Sequence, residues 1–205
     1  MGTVMSLVAQ TDSQAKAILA AVSRKYSSYT TIKTNFTYTL NNPQAKINQT
    51  RSGSLYTQSK ANRYRIIMSD QELISDGKSQ WTYLKEDKEV QLNEVDKSSH
   101  ATNPAKIFSI YQSGYKYVYN GDIKQNGRSY HVIDLSPVDS KQPYFKVRLT
   151  IDKATKLISK AMIFDKNGNR YTYELKGFTP NPKVAADFFT FNPRKHPGVE
   201  VVDLR

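Results

Sequence analysis

The sequence predicts a mainly β protein: a single, strongly curved antiparallel sheet of ten or eleven strands, accompanied by two helices. Three observations lead to this prediction. Apolar residues alternate with a period of two over most of the chain, turn residues recur at short intervals, and only two segments break the alternation. The length, 205 residues, suits one all-β domain.

The first ten residues look separate from the domain, which we place at residues 11–205. Met1-Gly2-Thr3 resembles an added expression start. Val4–Gln10 resembles the end of the apolar region of a signal peptide, ahead of a small-residue cleavage site. We therefore assign residues 1–10 to a start sequence and a signal-peptide remnant.

The first predicted element is an amphipathic helix from Thr11 to Tyr29. Thr11, Asp12 and Ser13 offer side-chain oxygens that can cap its start. Its apolar face is made of side chains at helical spacing, Ile18, Leu19, Val22 and Tyr26. We expect this face to pack against the sheet.

From Ile32 the period changes to two, and a series of strands follows. The predicted strands are 32–40, 46–58, 63–69, 72–76, 79–84, 89–95, 115–123, 128–135, 144–151, 157–164, 169–178 and 188–191. Asp76-Gly77 is a strong hairpin signal, and Asn126-Gly127 and Asn167-Gly168 mark tight turns. In the strand from residue 144, we expect Phe145, Val147, Leu149 and Ile151 to share the apolar face.

The segment Asn103–Ser113 breaks the alternation in the middle of the chain. Asn103 can cap a short helix and Pro104 suits its first position. This helix would present four large apolar residues, Ile107, Phe108, Ile110 and Tyr111. One buried helix face needs fewer large apolar residues than these four, so the segment is a candidate lid.

A wide sheet with one apolar face must hide that face, and two helices are too small to fill its interior. The pattern therefore predicts a cavity for an apolar ligand. The wall candidates are Phe36, Tyr38, Leu55 and Trp81, and the lid candidates are Ile18, Leu19, Val22, Ile107, Phe108 and Ile110. An ordinary filled core is the alternative for the wall residues.

Composition limits the chemistry. Thirty basic against eighteen acidic residues give a net charge of +12, which suits either a solubilising surface or a face that docks anionic partners. The chain has no cysteine and three scattered histidines, and it has no apolar run long enough for an integral membrane segment. With no catalytic or metal motif in the sequence, we predict no cofactor, no metal and no enzymatic activity.

Three stretches resemble the LolA family of periplasmic lipoprotein carriers. They are LISDGKSQWTY at residues 73–83, the ending from Phe189 to Arg205, and Gly53-Ser54-Leu55 followed by KANRYR at residues 60–65. The resemblance extends from about Asp12 to Arg205. It implies the LolA-like fold, which is a single curved antiparallel sheet forming an incomplete, unclosed β-barrel of about eleven strands with helices as a lid. It also implies a monomeric carrier that works in the periplasm.

The family's partners are implied in the same way. The carrier would take acylated lipoproteins from an inner-membrane LolCDE-type ABC transporter to an outer-membrane acceptor, with no nucleic acid involved. Lys60 is the candidate for the family's lid latch, although Ala61 stands where the family has proline, and Tyr64 corresponds to an aromatic residue at the barrel mouth. Three alternatives remain open: a basic module for nucleic acid or another anionic polymer, a lipoprotein acceptor, and a lipoprotein sensor of the same fold.

Overall fold

The computed structural model describes residues 6–95, 104–111 and 114–205. These residues contain one α-helix, α1 (Ser6–Ser27), and a set of strands that all belong to one sheet. The strands are β1 (Ile32–Asn42), β2 (Ile47–Gln58), β3 (Arg63–Met68), β4 (Gln71–Ser75), β5 (Ser79–Leu84), β6 (Glu89–Glu94), β7 (Tyr115–Gln125), β8 (Arg128–Pro137), β9 (Tyr144–Asp152), β10 (Ile158–Asp165), β11 (Arg170–Pro180) and β12 (Glu200–Asp203). Three short 3₁₀ helices cover Ser59–Ala61, Pro104–Phe108 and Pro193–Lys195.

The strand order is β12-β6-β5-β4-β3-β2-β1-β11-β10-β9-β8-β7. The two end strands, β12 and β7, are not hydrogen-bonded to each other, so the sheet is unclosed. This confirms the predicted mainly β class. The last strand departs from the antiparallel pattern, because β12 pairs parallel with β6, with Glu200 opposite Glu89.

Helix α1 begins at Ser6, so the prediction that Thr11, Asp12 or Ser13 starts the helix is wrong. The buried stripe is Ala15, Leu19, Val22 and Tyr26, at the spacing of one helix face, while Ile18 is only half-buried. Arg24 and Lys25 occupy the last turn, where cations stabilise the negative end of the helix dipole.

The first eleven predicted strands overlap β1–β11, but the predicted strand at residues 188–191 is wrong. Turn hydrogen bonds occur there instead, from Phe188 N to Ala185 O (3.1 Å) and from Thr190 N to Asp187 O (3.1 Å). The consecutive rings of Phe188 and Phe189 stand at 89° to each other. These aromatic residues anchor an irregular segment, and the real twelfth strand follows at Glu200–Asp203.

Strand β9 contains a bulge that changes the predicted face of one residue. Lys146 lies opposite Phe164 and Tyr144 lies opposite Asp165, so Phe145 is the extra residue. Tyr144 is therefore buried, and Phe145 is 53% exposed, contrary to the prediction that it joins Val147 on the apolar face.

The chain forms two compact units, each with its own core. The first contains the described residues of Met1–Ser28, Tyr38–Thr50 and Ile107–Leu175, and the second those of Tyr29–Thr37, Arg51–Lys106 and Lys176–Arg205. In the first unit, one buried row crosses β8 to β11 through Ile133, Leu149, Ala161 and Tyr173. Across the described residues, none of the helices has the length and apolar character needed to cross a membrane.

Candidate functional site

In the second unit, strand register separates the two faces of the sheet. Leu55 lies opposite Ile66, and Thr57 lies opposite Tyr64, so these four side chains share one face. We call it the inner face. Phe36 also lies on it, because the hydrogen bonds of Asn35 to Ser54 and Thr37 to Ser52 place its neighbours on the other side.

Phe36 packs directly over the backbone of β2. A Cβ atom on Gly53 would lie 3.0 Å from Cζ of Phe36 and 2.5 Å from the carbonyl oxygen of Ile67. Position 53 therefore has no room for a Cβ atom, and glycine there lets the Phe36 ring contact the backbone of β2. Phe36, Leu55 and Tyr64 are all nearly fully buried. The structure thus brings together three residues that the sequence singled out.

Trp81 lies on the opposite face from these residues. Direct pairing places Arg65, Ile74, Trp81 and Leu92 in one row across β3–β6. Trp81 packs against a cluster of Ile74, Val90 and Phe191. Since Phe191 belongs to the chain segment after β11, Trp81 packs in an apolar cluster beneath that segment, on the face opposite Leu55. Its prediction as a cavity wall beside Phe36 and Leu55 is therefore corrected.

The segment after β11 is held on this outer face by Arg65. Its Nη1 donates to the carbonyl oxygen of Phe188 at 3.1 Å, its guanidinium lies 5.0 Å from the centre of the Phe188 ring, and it pairs with Glu72 at 2.7 Å. A cleft of about 270 Å³ under the segment is lined by Arg63, Asp76, Lys78, Ala186, Phe189 and Thr190. Because three of these six residues carry charge, the cleft does not suit an apolar chain.

Two further predicted residues have clear surroundings. Tyr64 donates a hydrogen bond to Oε1 of Gln80 at 2.5 Å and is only 1% exposed. Tyr38, in the first unit, is half-buried, with its ring 6.3 Å from that of Tyr171 and 5.1 Å from that of Tyr173. Burial raises the pKa of Tyr173, so this aromatic group stays neutral at ordinary pH.

In the first unit, the predicted lid segment is short and deeply buried. Pro104–Phe108 forms a 3₁₀ helix, and Asn103, its predicted cap, lies outside the described residues. Ile107, Phe108, Ile110 and Tyr111 are each at most 5% exposed. The segment thus buries four large side chains while contributing little regular backbone hydrogen bonding.

The lid segment contacts helix α1 and the edge strand. The Phe108 ring lies 4.8 Å from the Tyr26 ring of α1 in an edge-on arrangement. The Tyr26 hydroxyl in turn accepts a hydrogen bond from the backbone N–H of Ile158 at 2.9 Å. Tyr117 of β7 donates to the carbonyl oxygen of Tyr111 at 3.0 Å. These contacts join the segment to the first unit by aromatic packing and a side-chain hydrogen bond.

The hydroxyl of Tyr111 is buried and has no hydrogen-bond partner among the described residues. Burial raises the pKa of this phenol. A buried polar group without a partner costs about 1–3 kcal/mol. Among the described residues, this segment therefore carries a polar group without a partner, a feature that the apolar pattern of the sequence gave no means of finding.

Lys60 lies on the exposed 3₁₀ turn Ser59–Ala61, which ends at Asn62 in the left-handed conformation. Within the part of the chain that the structure describes, its ammonium group forms no ion pair. The latch role of Lys60 therefore stays a prediction.

A polar cluster that the sequence did not predict occurs at a bulge in β7. The carboxylate of Asp122 accepts from the Tyr119 hydroxyl at 2.6 Å, lies 2.7 Å from Nδ1 of His131 and pairs with Lys153. The hydrogen bond from Lys153 is the main cause that holds the pKa of Asp122 well below its usual range. The described residues contain no group of three or more His, Asp or Glu side chains that would hold a metal. The cluster is thus an internally satisfied ion-pair network.

The described residues combine an open β-sheet, an amphipathic helix and a short buried connecting segment. The family model for "Outer membrane lipoprotein carrier protein LolA" matches residues 27–192. The chain belongs to this family, which is one of carriers rather than enzymes.

Individual proteins agree with the assignment. An outer-membrane lipoprotein carrier protein of Legionella pneumophila is 27% identical over 185 residues, covering 87% of this chain and 86% of its own. An uncharacterised conserved protein from Thermus thermophilus has a TM-score of 0.58 at 13% identity, covering 93% of this chain and 99% of its own. The Mycobacterium tuberculosis lipoprotein LppX has a TM-score of 0.54 at 11% identity, covering 86% and 100%. The two structures support the fold.

Proposed function

We propose that this protein is a periplasmic lipoprotein carrier that shelters acyl chains against its inner face and releases them again. Membership of the carrier family supports the class of activity. The observation that carries the mechanism is the lid segment: Ile107, Phe108 and Ile110 are buried although their segment has little regular structure. The segment can therefore open without breaking a regular ladder of backbone hydrogen bonds, and its buried side chains are what hold it closed.

Release of the cargo requires that side chains of the protein itself compete with the acyl chains for the same apolar surface. Burying acyl chains contributes about 0.8 kcal/mol per CH₂, so three chains of about 15 methylenes amount to on the order of 36 kcal/mol. A membrane gives the same chains equivalent shelter, so transfer to the protein is nearly neutral. The lid side chains compete with cargo for apolar surface, and the unsatisfied Tyr111 hydroxyl limits how stable the closed state is.

The cargo-binding residues in this proposal are Phe36, Leu55 and Tyr64 in the second unit and Tyr38 in the first; Trp81 is excluded. The lid comprises Leu19 and Val22 of α1 with Ile107, Phe108 and Ile110, and Ile18 lies at its margin. In the same proposal, an inner-membrane LolCDE-type transporter supplies the lipoprotein and an outer-membrane acceptor receives it. The carrier acts as a monomer, and Lys60 assists in holding the lid.

The chain contains one tryptophan, which allows a test by contact quenching. We would compare the wild type, whose only tryptophan is Trp81 on the outer face, with Tyr38→Trp/Trp81→Phe, whose only tryptophan replaces a half-buried cargo-site residue. The probe is a triacylated lipopeptide carrying bromine on its acyl chains, with the same peptide without acyl chains as control. We expect the acylated peptide to quench tryptophan at position 38 and to leave Trp81 nearly unchanged.

Equal quenching at both positions would show adsorption without a defined site. Absence of quenching at position 38, with the variant folded as judged by circular dichroism, would refute the cargo site. The unacylated peptide should have no effect on either protein, because the proposal assigns binding to the acyl chains.

A further inference from the structure

Three turns of the first unit are joined by hydrogen bonds at one end of its strands. We call residues 42–46, 138–146 and 164–170 the turn rim. Asn42 Nδ2 donates to Oδ1 of Asn169 at 2.8 Å, and Lys166 donates from its backbone to Pro143 O at 2.9 Å and from Nζ to Ser140 O at 2.6 Å. The loops are thus fixed relative to one another within this unit.

The turn rim has an excess of cations. It contains five, Lys46, Lys141, Lys146, Lys166 and Arg170, against two carboxylates. All of the cations are exposed except Lys146, which is half-buried over the Phe164 ring. Within the described residues, none of the five forms an ion pair.

The two carboxylates are occupied in holding the loops. Asp165 is buried and accepts from the backbone N–H groups of Asn167 and Asn169, at 2.9 and 2.8 Å, and from the side chains of Asn169 and Tyr171. Asp139 accepts from the backbone N–H of Lys141 at 2.9 Å. Asp139 is exposed and keeps its negative charge, but the five cations outnumber it, so the outward-facing charge of the rim is positive.

Apolar side chains project from the same rim. Val138 is 63% exposed and Phe145 is 53% exposed, the largest values among the large apolar side chains that the structure describes in the first unit. Phe145 projects because of the bulge in β9, and its ring lies 6.2 Å from that of Phe164. Exposed apolar residues ringed by lysine and arginine match the two layers of an anionic bilayer surface, where phosphates lie above the acyl boundary.

We propose that the turn rim docks the protein on anionic phospholipid surfaces, with the cations on headgroup phosphates and Val138 and Phe145 inserted among the headgroups. A lipid surface fits better than an acidic protein because the apolar side chains project singly, whereas a protein partner needs a continuous complementary patch. This docking is independent of acyl-chain cargo and requires only the folded protein.

The first experiment measures partitioning to vesicles of phosphatidylglycerol and phosphatidylethanolamine by co-sedimentation. Each cation near such a surface contributes about fivefold to partitioning, so Lys141→Gln/Arg170→Gln should bind about 25-fold more weakly. The matched control removes the same charge elsewhere, with Lys124→Gln/Lys183→Gln at two other exposed lysines, and should change partitioning much less. Equal losses in the two double variants would overturn the proposal.

The second experiment uses the absence of native cysteine. An environment-sensitive dye on Val138→Cys should shift to the blue with the anionic vesicles and not with phosphatidylcholine, whereas the dye on Lys124→Cys should not shift. No shift at position 138, or an equal shift at both positions, would refute membrane insertion. Equally tight binding to duplex DNA, without any dye shift on vesicles, would assign the rim to acidic polymers instead. A negative result in these vesicle experiments would refute docking by the turn rim. It would not change the tryptophan quenching by brominated lipopeptide, which tests the cargo site independently.

Discussion

Replacing Ile107 by glutamate tests the lid directly. Ile107 is 2% exposed in the closed segment, and burial of an isoleucine side chain contributes about 1.5–3 kcal/mol. Ile107→Glu removes this contribution and places a charge against apolar surface, so we expect the ligand-free protein to lose about 2–5 kcal/mol of unfolding free energy. Urea denaturation followed by circular dichroism measures the loss. Binding of a surface-probe dye should rise, because the segment leaves the apolar surface that it covered.

Triacylated lipopeptide should restore much of this stability. Under the proposed function, cargo binds only the folded state and replaces the contacts of the lid, so at 100 times its Kd it would contribute about 2.7 kcal/mol. Val118→Glu is the matched control, since Val118 is 50% exposed and the same charge there should change stability by no more than about 0.5 kcal/mol. Equal melting shifts from acylated and unacylated peptide, or none from either, would refute the lid mechanism.

Three further predictions concern single side chains. Tyr111→Phe should raise the unfolding free energy by about 1 kcal/mol, because it removes a hydroxyl without a partner among the described residues. Tyr26→Phe should lower the unfolding free energy, because the Tyr26 hydroxyl accepts a hydrogen bond. A lower unfolding free energy for Tyr111→Phe would show that the Tyr111 hydroxyl has a partner. Gly53→Ala should cost about 1–3 kcal/mol in denaturation experiments, because its Cβ would lie 2.5 Å from a carbonyl oxygen of the neighbouring strand; an unchanged midpoint would contradict this steric argument. Desolvation and the hydrogen bond to Asp122 raise the pKa of Tyr119 to about 12, so its contribution to stability is complete below pH 10 and is lost as pH rises towards 12. The difference in 295 nm absorbance between wild type and Tyr119→Phe should show this late titration, and a midpoint near 10 would disprove it.

Local patterns were sufficient to predict most of the strands. Period-two alternation and the Asp-Gly and Asn-Gly turns depend on near neighbours in sequence, and β1–β11 each overlap a predicted strand. The predicted face of Phe145 was wrong because a β-bulge inserts one residue into β9. Alternation within one strand cannot show where its register with the partner strand shifts. The start of α1 was missed because Thr11, Asp12 and Ser13 are residue types that favour helix caps, yet here they lie inside a longer helix.

The candidate site was predicted less completely, for a physical reason. Alternation in β5 correctly separates Trp81 from Gln80 and Thr82, but it does not say which side of the sheet is the inner one. That assignment depends on the segment after β11, whose Phe188 and Phe191 cover the face that carries Trp81. Phe188 and Phe191 lie in an irregular segment, whose sequence shows neither helix nor strand periodicity. The unsatisfied hydroxyl of Tyr111 likewise depends on three-dimensional surroundings alone.

The seam between β1 and β11 has a consequence for the order of folding. Apart from this seam and the pairing of β12, neighbours in the sheet are consecutive hairpin strands. At the seam, the Thr34 hydroxyl donates to Lys176 O across 142 residues of sequence, and the N–H of Thr31 donates to Asn181 Oδ1 across 150. High contact order slows folding because the entropy of closing a long loop is lost before these contacts can stabilise the chain. The hairpins on either side can form early, but β1 can complete its pairing only when residues 170–180 are available. The two hairpin series therefore stay unjoined during synthesis until β11 has been made.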